Sequence, residues 1–201
     1  MEEDILTYEL IVIGASWGGL NAVGELLSGL PKRLGCAVVV AQHRRGDTPE
    51  GGLAELLGLR TRLPVADVED KSPIEPGRVY LAPPNYHLLI EKGYFSLSVD
   101  ERVHYARPSV DVLFQSAADA YRERVIGVIL TGSNEDGAAG LARIKALGGV
   151  AIVQDPRSAE RDEMPRAALS ATHADAVLPL EEIGPFLYGL VVPPAGARVG
   201  T

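Results

Sequence analysis

Hydrophobic positions along the chain alternate between two periods. Apolar runs rich in Val and Ile stand at Glu9–Ile13, Cys36–Ala41, Val125–Leu130, Val150–Gln154 and Ala176–Leu178. Their length and β-branching predict buried strands. Between them the apolar residues recur at spacings of three and four. Val110, Leu113, Phe114, Ala117, Ala118 and Tyr121 predict a helix over Ser109–Tyr121, with Ser109 in the N-cap position after Pro108. Leu20–Leu30 and Ala138–Leu147 have the same character, the second closed by Gly148-Gly149. Strands alternating with helices in this way predict an α/β fold: a doubly wound, mostly parallel, Rossmann-like sheet with helices on both faces.

The stretch from Leu63 to Asp100 breaks the rhythm. Short alternating segments (Arg78–Leu81, His87–Ile90 and Phe95–Val99) are separated by Pro83-Pro84-Asn85 and by Lys92-Gly93. This pattern predicts β-hairpins with a turn at Lys92-Gly93, inserted across one end of the sheet near its active-site edge. The chain has no internal repeat. Residues 1–192 read as one catalytic domain, and 193–201, Pro- and Gly-rich, as a disordered tail.

Composition narrows the class. A length of 201 residues and an apolar share of 46% fit one domain with a substantial core. No apolar run approaches the roughly 20 residues that span a bilayer, so membrane insertion is not expected. The first residues, MEEDILTYEL, are acidic where a secretory signal is basic. A single cysteine, Cys36, cannot form an internal disulfide and reads as a small buried hydrophobe in a reducing, cytoplasmic setting. The net charge of −8 argues against nucleic acid, which is bound by neutralising phosphates. Lys32-Arg33, Arg44-Arg45 and Arg60 with Arg62 read as solvated surface.

Chemistry enters at Val12-Ile-Gly-Ala-Ser-Trp-Gly-Gly-Leu20, directly after the first apolar run. As a dinucleotide loop it fails twice. Ser16 replaces the glycine that lets the backbone approach a pyrophosphate, and no acidic residue follows the second strand, which ends Ala41-Gln42-His43. As a G-x-S-x-G nucleophile turn it fits at Gly14, Ser16 and Gly18, between a strand and a helix. The N–H groups at the start of that helix, beginning with Trp17, would face an oxyanion. A serine nucleophile needs a base within about 3 Å and the base needs a carboxylate. If the first two strands are parallel neighbours about 4.8 Å apart, His43 and Ser16 leave the sheet side by side. The loop after the Val125 strand supplies Glu135 or Asp136 at the same edge. Three plainer roles compete: Ser16 as a helix cap, His43 as a surface histidine, and Asp136 as the N-cap of the helix from Ala138.

Six segments in order, from about Leu10 to Leu190, resemble the catalytic domain of the chemotaxis-receptor protein-glutamate methylesterases, the CheB family. They are Ile13–Gly19, Ala41–His43, Tyr80–Pro83 with His87, Ala106–Asp111, Ile129–Gly132 with Asp136–Gly140, and Met164–Arg166. The resemblance implies a serine esterase with Ser16 as nucleophile, His43 as base and Asp136 as the orienting carboxylate. It implies Ser133 as a second oxyanion donor beside Trp17, and neither cofactor nor metal. The implied substrate is a methylated receptor or related signalling protein, cleaved at γ-glutamyl methyl esters, with glutamine deamidation in some members. A catalytically silent signalling adaptor of the same fold is the alternative. Two positions depart from the family pattern. Trp17 stands where threonine is frequent, and Ser133-Asn134-Glu135 stands where methionine-glycine-asparagine is usual, placing a second carboxylate by the triad. Only a few residues precede the first strand, so control by a separate receiver or regulatory protein, or by fusion to one, is expected. His87, Arg107 and Arg166 have no implied chemical step, and a structural role is the expectation for His87. His104 and His173 read as surface residues.

Overall fold

Nine strands and six helices make up the described part of the chain. In order they are β1 (Leu10–Ala15), α1 (Gly19–Ser28), β2 (Ala37–Gln42), α2 (Gly52–Gly58), β3 (Val65–Asp67), β4 (Val79–Leu81), β5 (His87–Glu91) and β6 (Tyr94–Ser98), then α3 (Val110–Tyr121), β7 (Val125–Ile129), α4 (Ala138–Ala146), β8 (Val150–Gln154), α5 (Glu163–Ala171), β9 (Ala176–Leu178) and α6 (Leu180–Val191). The computed structural model describes residues 7–43 and 52–191; the expected tail at 193–201 and the Arg44-Arg45 pair lie outside them.

Seven strands form one parallel sheet in the order β3-β4-β2-β1-β7-β8-β9. β1 is central and buried along its whole length. Its side chains alternate between two cores. Leu10 and Val12 face a core shared with Val39, Leu113, Phe114 and Leu141. Ile11 and Ile13 face another with Leu26, Leu27, Val38 and Leu187. Helices α3, α4 and α5 therefore cover one face, and α1, α2 and α6 the other. The order reverses at β1, with β2 on one side and β7 on the other, and that is the switch point at which open parallel sheets form sites. Among the described residues no helix is long and apolar enough to cross a membrane.

Helix α3 carries the first core. Phe114 and Leu113 are fully buried, and Ser109 caps the helix by accepting from the Val112 N–H. Phe114→Ala is expected to lower stability by about 3–5 kcal/mol, since the cavity adds to the lost transfer term. Urea unfolding would read it as a lower midpoint with an unchanged slope. Cys36 is buried and burial pushes its thiol up to about 12, in keeping with the role of a small inert hydrophobe.

The middle segment divides differently from its sequence pattern. Arg78–Leu81 belongs to no hairpin: β4 lies in the main sheet, paired with β2 from Val38↔Val79 to Val40↔Leu81. Three residues are too few to distinguish alternation from burial on both faces. The β5–β6 hairpin does form around Lys92-Gly93, with Gly93 at φ 90°. It lies along α3, held by the Ile90 N–H on Ser116 Oγ (3.0 Å) and the Gly93 N–H on Tyr121 Oη (3.1 Å). Only its His87 end reaches the site.

Candidate active site

Three strand ends meet at the switch point. Parallel pairing of β1 with β2 runs to Ala15↔Gln42, and the His43 N–H then donates to the Ala15 carbonyl (3.0 Å). Ser16 and His43 are thus the next positions on adjacent strands. They continue the alternation of Leu10, Val12 and of Ala37, Val39, Ala41, which puts both on the α3 side of the sheet. Gln42 fixes the two ends, its Nε2 donating to the carbonyls of Ser16 (2.7 Å) and His43 (3.2 Å). The turn is tight: α1 begins at Gly19 and its N-cap is Gly18, at φ 76°. No side chain caps α1, so Ser16 is not a helix cap.

The imidazole of His43 meets the carboxylate of Asp136, with Nε2 2.7 Å from Oδ2. Asp136 is 1% exposed and sits on the N-terminus of α3, a helix remote in sequence. Its Oδ2 also accepts from the Val110 N–H (2.7 Å), and its Oδ1 from Ser109 Oγ (2.8 Å) and the Asp111 N–H (2.9 Å). Burial alone would raise this carboxyl, but the His43 contact and the N–H groups of Asp111 and Val110 outweigh it, and the group is held below the usual carboxylate range. Helix α4 is preceded by Gly137 without a side-chain cap, so Asp136 does not serve its own helix. It acts as an anion docked on the positive end of α3. With Nε2 committed to this carboxylate, Nδ1 is the nitrogen of His43 left to take a proton from a neighbour. Among the described residues no hydrogen bond yet joins Ser16 Oγ to that ring.

A second set of contacts shapes the other wall. The Ser16 N–H donates to the Thr131 carbonyl (3.0 Å). Thr131 Oγ1 accepts from the Arg161 N–H (2.9 Å) and lies 3.0 Å from the Trp17 carbonyl, stapling three loops. The Gly132 N–H is taken by the Arg161 carbonyl. Among the described residues the backbone N–H groups of Trp17 and Ser133 have no acceptor. A Cβ at Gly132 would stand 2.8 Å from the Ser16 Cβ and would also meet Met164. Gly132→Ala is therefore expected to displace Ser16, cutting the rate of any reaction at its hydroxyl about 100-fold while the melting temperature falls only a few degrees. Steady-state kinetics and a thermal melt check the two parts separately.

The fold that carries these strand ends is shared with known proteins. A family described as CheB methylesterase matches residues 11–187. The chain belongs to the CheB methylesterase family. A Leptospira interrogans protein provisionally named protein-glutamate methylesterase/protein-glutamine glutaminase is 50% identical over 179 residues, covering 89% of this chain and 92% of that one. Protein-glutamate methylesterase/protein-glutamine glutaminase 1 of Hahella chejuensis is 43% identical, covering 88% of this chain but 50% of the relative, so this chain spans about half of that protein. The crystal structure of the Thermotoga maritima CheB methylesterase catalytic domain superposes with a TM-score of 0.86 at 33% identity, covering 92% of this chain and 100% of that one.

The positions of this CheB chain singled out in the sequence have structural counterparts. Trp17 is 58% exposed, donates from Nε1 to Glu160 Oε1 (2.9 Å) and lies under the Arg161 guanidinium at 5.6 Å. Its ring is tethered to the 160–161 loop. Glu135 does not join His43 and Asp136: its Oε1 pairs with His104 Nδ1 (3.2 Å). His104 is exposed, as expected from the sequence, and its Nε2 also faces Asp111 Oδ2 at 3.4 Å. His173 is exposed, as its sequence context indicates. His87 is buried and structural: Nδ1 accepts from the Ser109 N–H (3.3 Å) and Nε2 donates to the Glu101 carbonyl (2.9 Å), buttressing the cap under Asp136. Arg166 pairs with Asp162 on α5 (2.6 Å). Ligand atoms of His104, Asp111 and Asp136 lie within 4.8 Å of one another. Both oxygens of Asp136 are spent on four donors and Asp111 Oδ1 on the Gly140 N–H (2.7 Å), a donor set already consumed by hydrogen bonds rather than one fitted to a metal.

Proposed function

We propose that this chain hydrolyses γ-glutamyl methyl esters on a chemoreceptor or related signalling protein, with Ser16 as nucleophile, His43 as base and Asp136 as the orienting carboxylate. The carrying observation is the 2.7 Å contact of His43 Nε2 with a buried, helix-docked Asp136 at the strand edge from which Ser16 emerges. His43 Nδ1 takes the Ser16 proton as Oγ attacks the ester carbonyl. The N–H groups of Trp17 and Ser133, which have no acceptor among the described residues, receive the oxyanion. Collapse of the tetrahedral species breaks the bond to methoxide, which leaves as methanol with the proton from His43. Water then attacks the glutamyl-serine ester by the same route and releases the carboxylate. Asp136 holds the ring in the Nε2–H tautomer and stabilises the imidazolium, so every proton transfer is carried by side chains of this chain.

Relatives named both methylesterase and glutaminase support the ester as substrate and extend it to the side-chain amide of glutamine, which reacts through the same acyl-enzyme with ammonia leaving. The competing role, a silent adaptor, needs no saturated carboxylate beneath a histidine. The direct check is methanol released from a receptor cytoplasmic fragment bearing methylated glutamates. Release in proportion to enzyme supports the reading, and none above the receptor-only blank overturns it.

A further inference from the structure

A cavity of about 170 Å³ opens beside His43, lined by Arg102, His104, Tyr105, Arg107 and Asn134 among others. That is below the usual 300–1,000 Å³ of a small-molecule pocket and suits a single side chain. Its walls contain two guanidinium groups and no carboxylate, in a chain whose net charge is −8. Among the described residues neither Arg102 nor Arg107 has an acidic partner, whereas Arg78, Arg124, Arg143, Arg157 and Arg166 all do. Of the nearby acids, Glu135 and Asp111 face His104 and Asp100 accepts from Ser98 Oγ (2.6 Å).

Arg107 is held rather than loose. Its Nη1 donates to the carbonyls of Val99 (2.7 Å) and Asp100 (2.8 Å), which fixes the guanidinium plane. Its Nε is buried and has no hydrogen-bond partner. With Nη1 taken by the two carbonyls, Nη2 of Arg107 donates to nothing among the described residues, and a carboxylate is the group that matches a guanidinium donor.

We propose that Arg102 and Arg107 form a carboxylate subsite that engages an unesterified acidic side chain of the substrate protein beside the ester being cleaved. The subsite rests on the hydrolase reading above, because its value to the enzyme is to select which ester reaches Ser16. Preorganisation by the two carbonyls means that little ordering cost is left for binding.

The test uses synthetic helical peptides bearing one γ-glutamyl methyl ester, with Glu or Gln placed three or four residues away on either side. Methanol release gives kcat/KM, and phosphonate labelling of Ser16 reports the nucleophile independently. The best Glu peptide is expected to exceed its Gln counterpart by about tenfold or more, the range of one charge-assisted hydrogen bond. High salt and Arg102→Gln should both pull that ratio toward one, and Arg107→Lys, which keeps charge but loses the fork, should lower it partway. Equal turnover of Glu and Gln peptides, or no turnover of a Glu peptide by protein whose Ser16 labels, overturns the subsite alone. So does inhibition by the demethylated Gln-flanked product that Arg102→Gln abolishes, since the arginines would then hold the product carboxylate instead. A Ser16 that does not label overturns the hydrolase reading itself.

Discussion

Ser16→Ala is expected to abolish methanol release from methylated receptor, with kcat falling by about 10⁴- to 10⁶-fold, the range seen when a serine hydrolase loses its nucleophile. The fold should be untouched. The Ser16 backbone carries the structural bonds: its N–H to Thr131, and its carbonyl to the Gly19 N–H and to Gln42 Nε2. Its hydroxyl carries none among the described residues. Removing one oxygen from such a site leaves every bond of the turn in place. A circular dichroism melt within about one degree of the wild type, alongside lost turnover, is the combined result to look for. The residual rate matters as well. The backbone N–H groups of Trp17 and Ser133 survive the substitution, so on the proposed oxyanion role the variant should still exceed the uncatalysed rate.

Asp136→Asn is expected to harm both chemistry and stability, and for one reason. All acceptor positions of the carboxylate are taken: Oδ2 by His43 and the Val110 N–H, Oδ1 by Ser109 and the Asp111 N–H. Whichever way the amide is turned, its NH₂ faces a backbone N–H of α3. Turned toward His43, it also drives the ring into the Nδ1–H tautomer, which cannot accept the Ser16 proton. A loss of about 10⁴-fold in kcat follows. The stability cost should be roughly 1–3 kcal/mol for the unsatisfied donors.

The pH dependence separates this cost from packing damage. Native Asp136 is held below the usual range, so the folded state takes up its proton less readily than the unfolded chain. Its contribution is therefore present in full above the ordinary aspartate range, and it is lost as pH falls through the lower native value. Asp111 is shifted the opposite way, raised by burial first and by the charge of Asp136 besides. The quantity to measure is thus the difference between wild type and variant. Between about pH 7 and about pH 3 that gap should narrow, whereas a pH-independent gap would assign the loss to packing alone.

Much of this architecture was legible in the sequence. The long β-branched runs at β1, β2, β7 and β8, and the three-and-four spacing of α3, are strong because burial demands them on both strand faces and along one helix face. Where the signal was weak, the reading failed for physical reasons. β3 and β4 are three residues each, too short for any period. Helix α6 contains Gly184 and Pro185, and α5 has Pro165 in its first turn, where a missing N–H is harmless to a helix but conspicuous in a sequence. Of the candidate site, Ser16 and His43 were legible by residue type at strand ends, whereas residue type left Glu135 and Asp136 open and the family resemblance chose Asp136. The supports were not legible. Gln42, Thr131 and Ser109 are ordinary polar residues whose roles follow from burial, and Ser109 was readable only as the cap of its own helix. That the same cap would also cradle Asp136 depends on α3 meeting the sheet edge, a tertiary fact. His104 reads correctly as exposed, but a histidine flanked by Val and Tyr gives no sign of the two acids that approach it from α3 and the 133–136 loop.

The central claim is that one alcohol of this chain is activated by an imidazole seated on a buried carboxylate. A fluorophosphonate probe followed by peptide mass mapping addresses it most directly. One adduct on Ser16 is expected, absent from His43→Ala and strongly slowed in Asp136→Asn. An adduct on another residue, or labelling of Ser16 at the same rate in all three proteins, would contradict it.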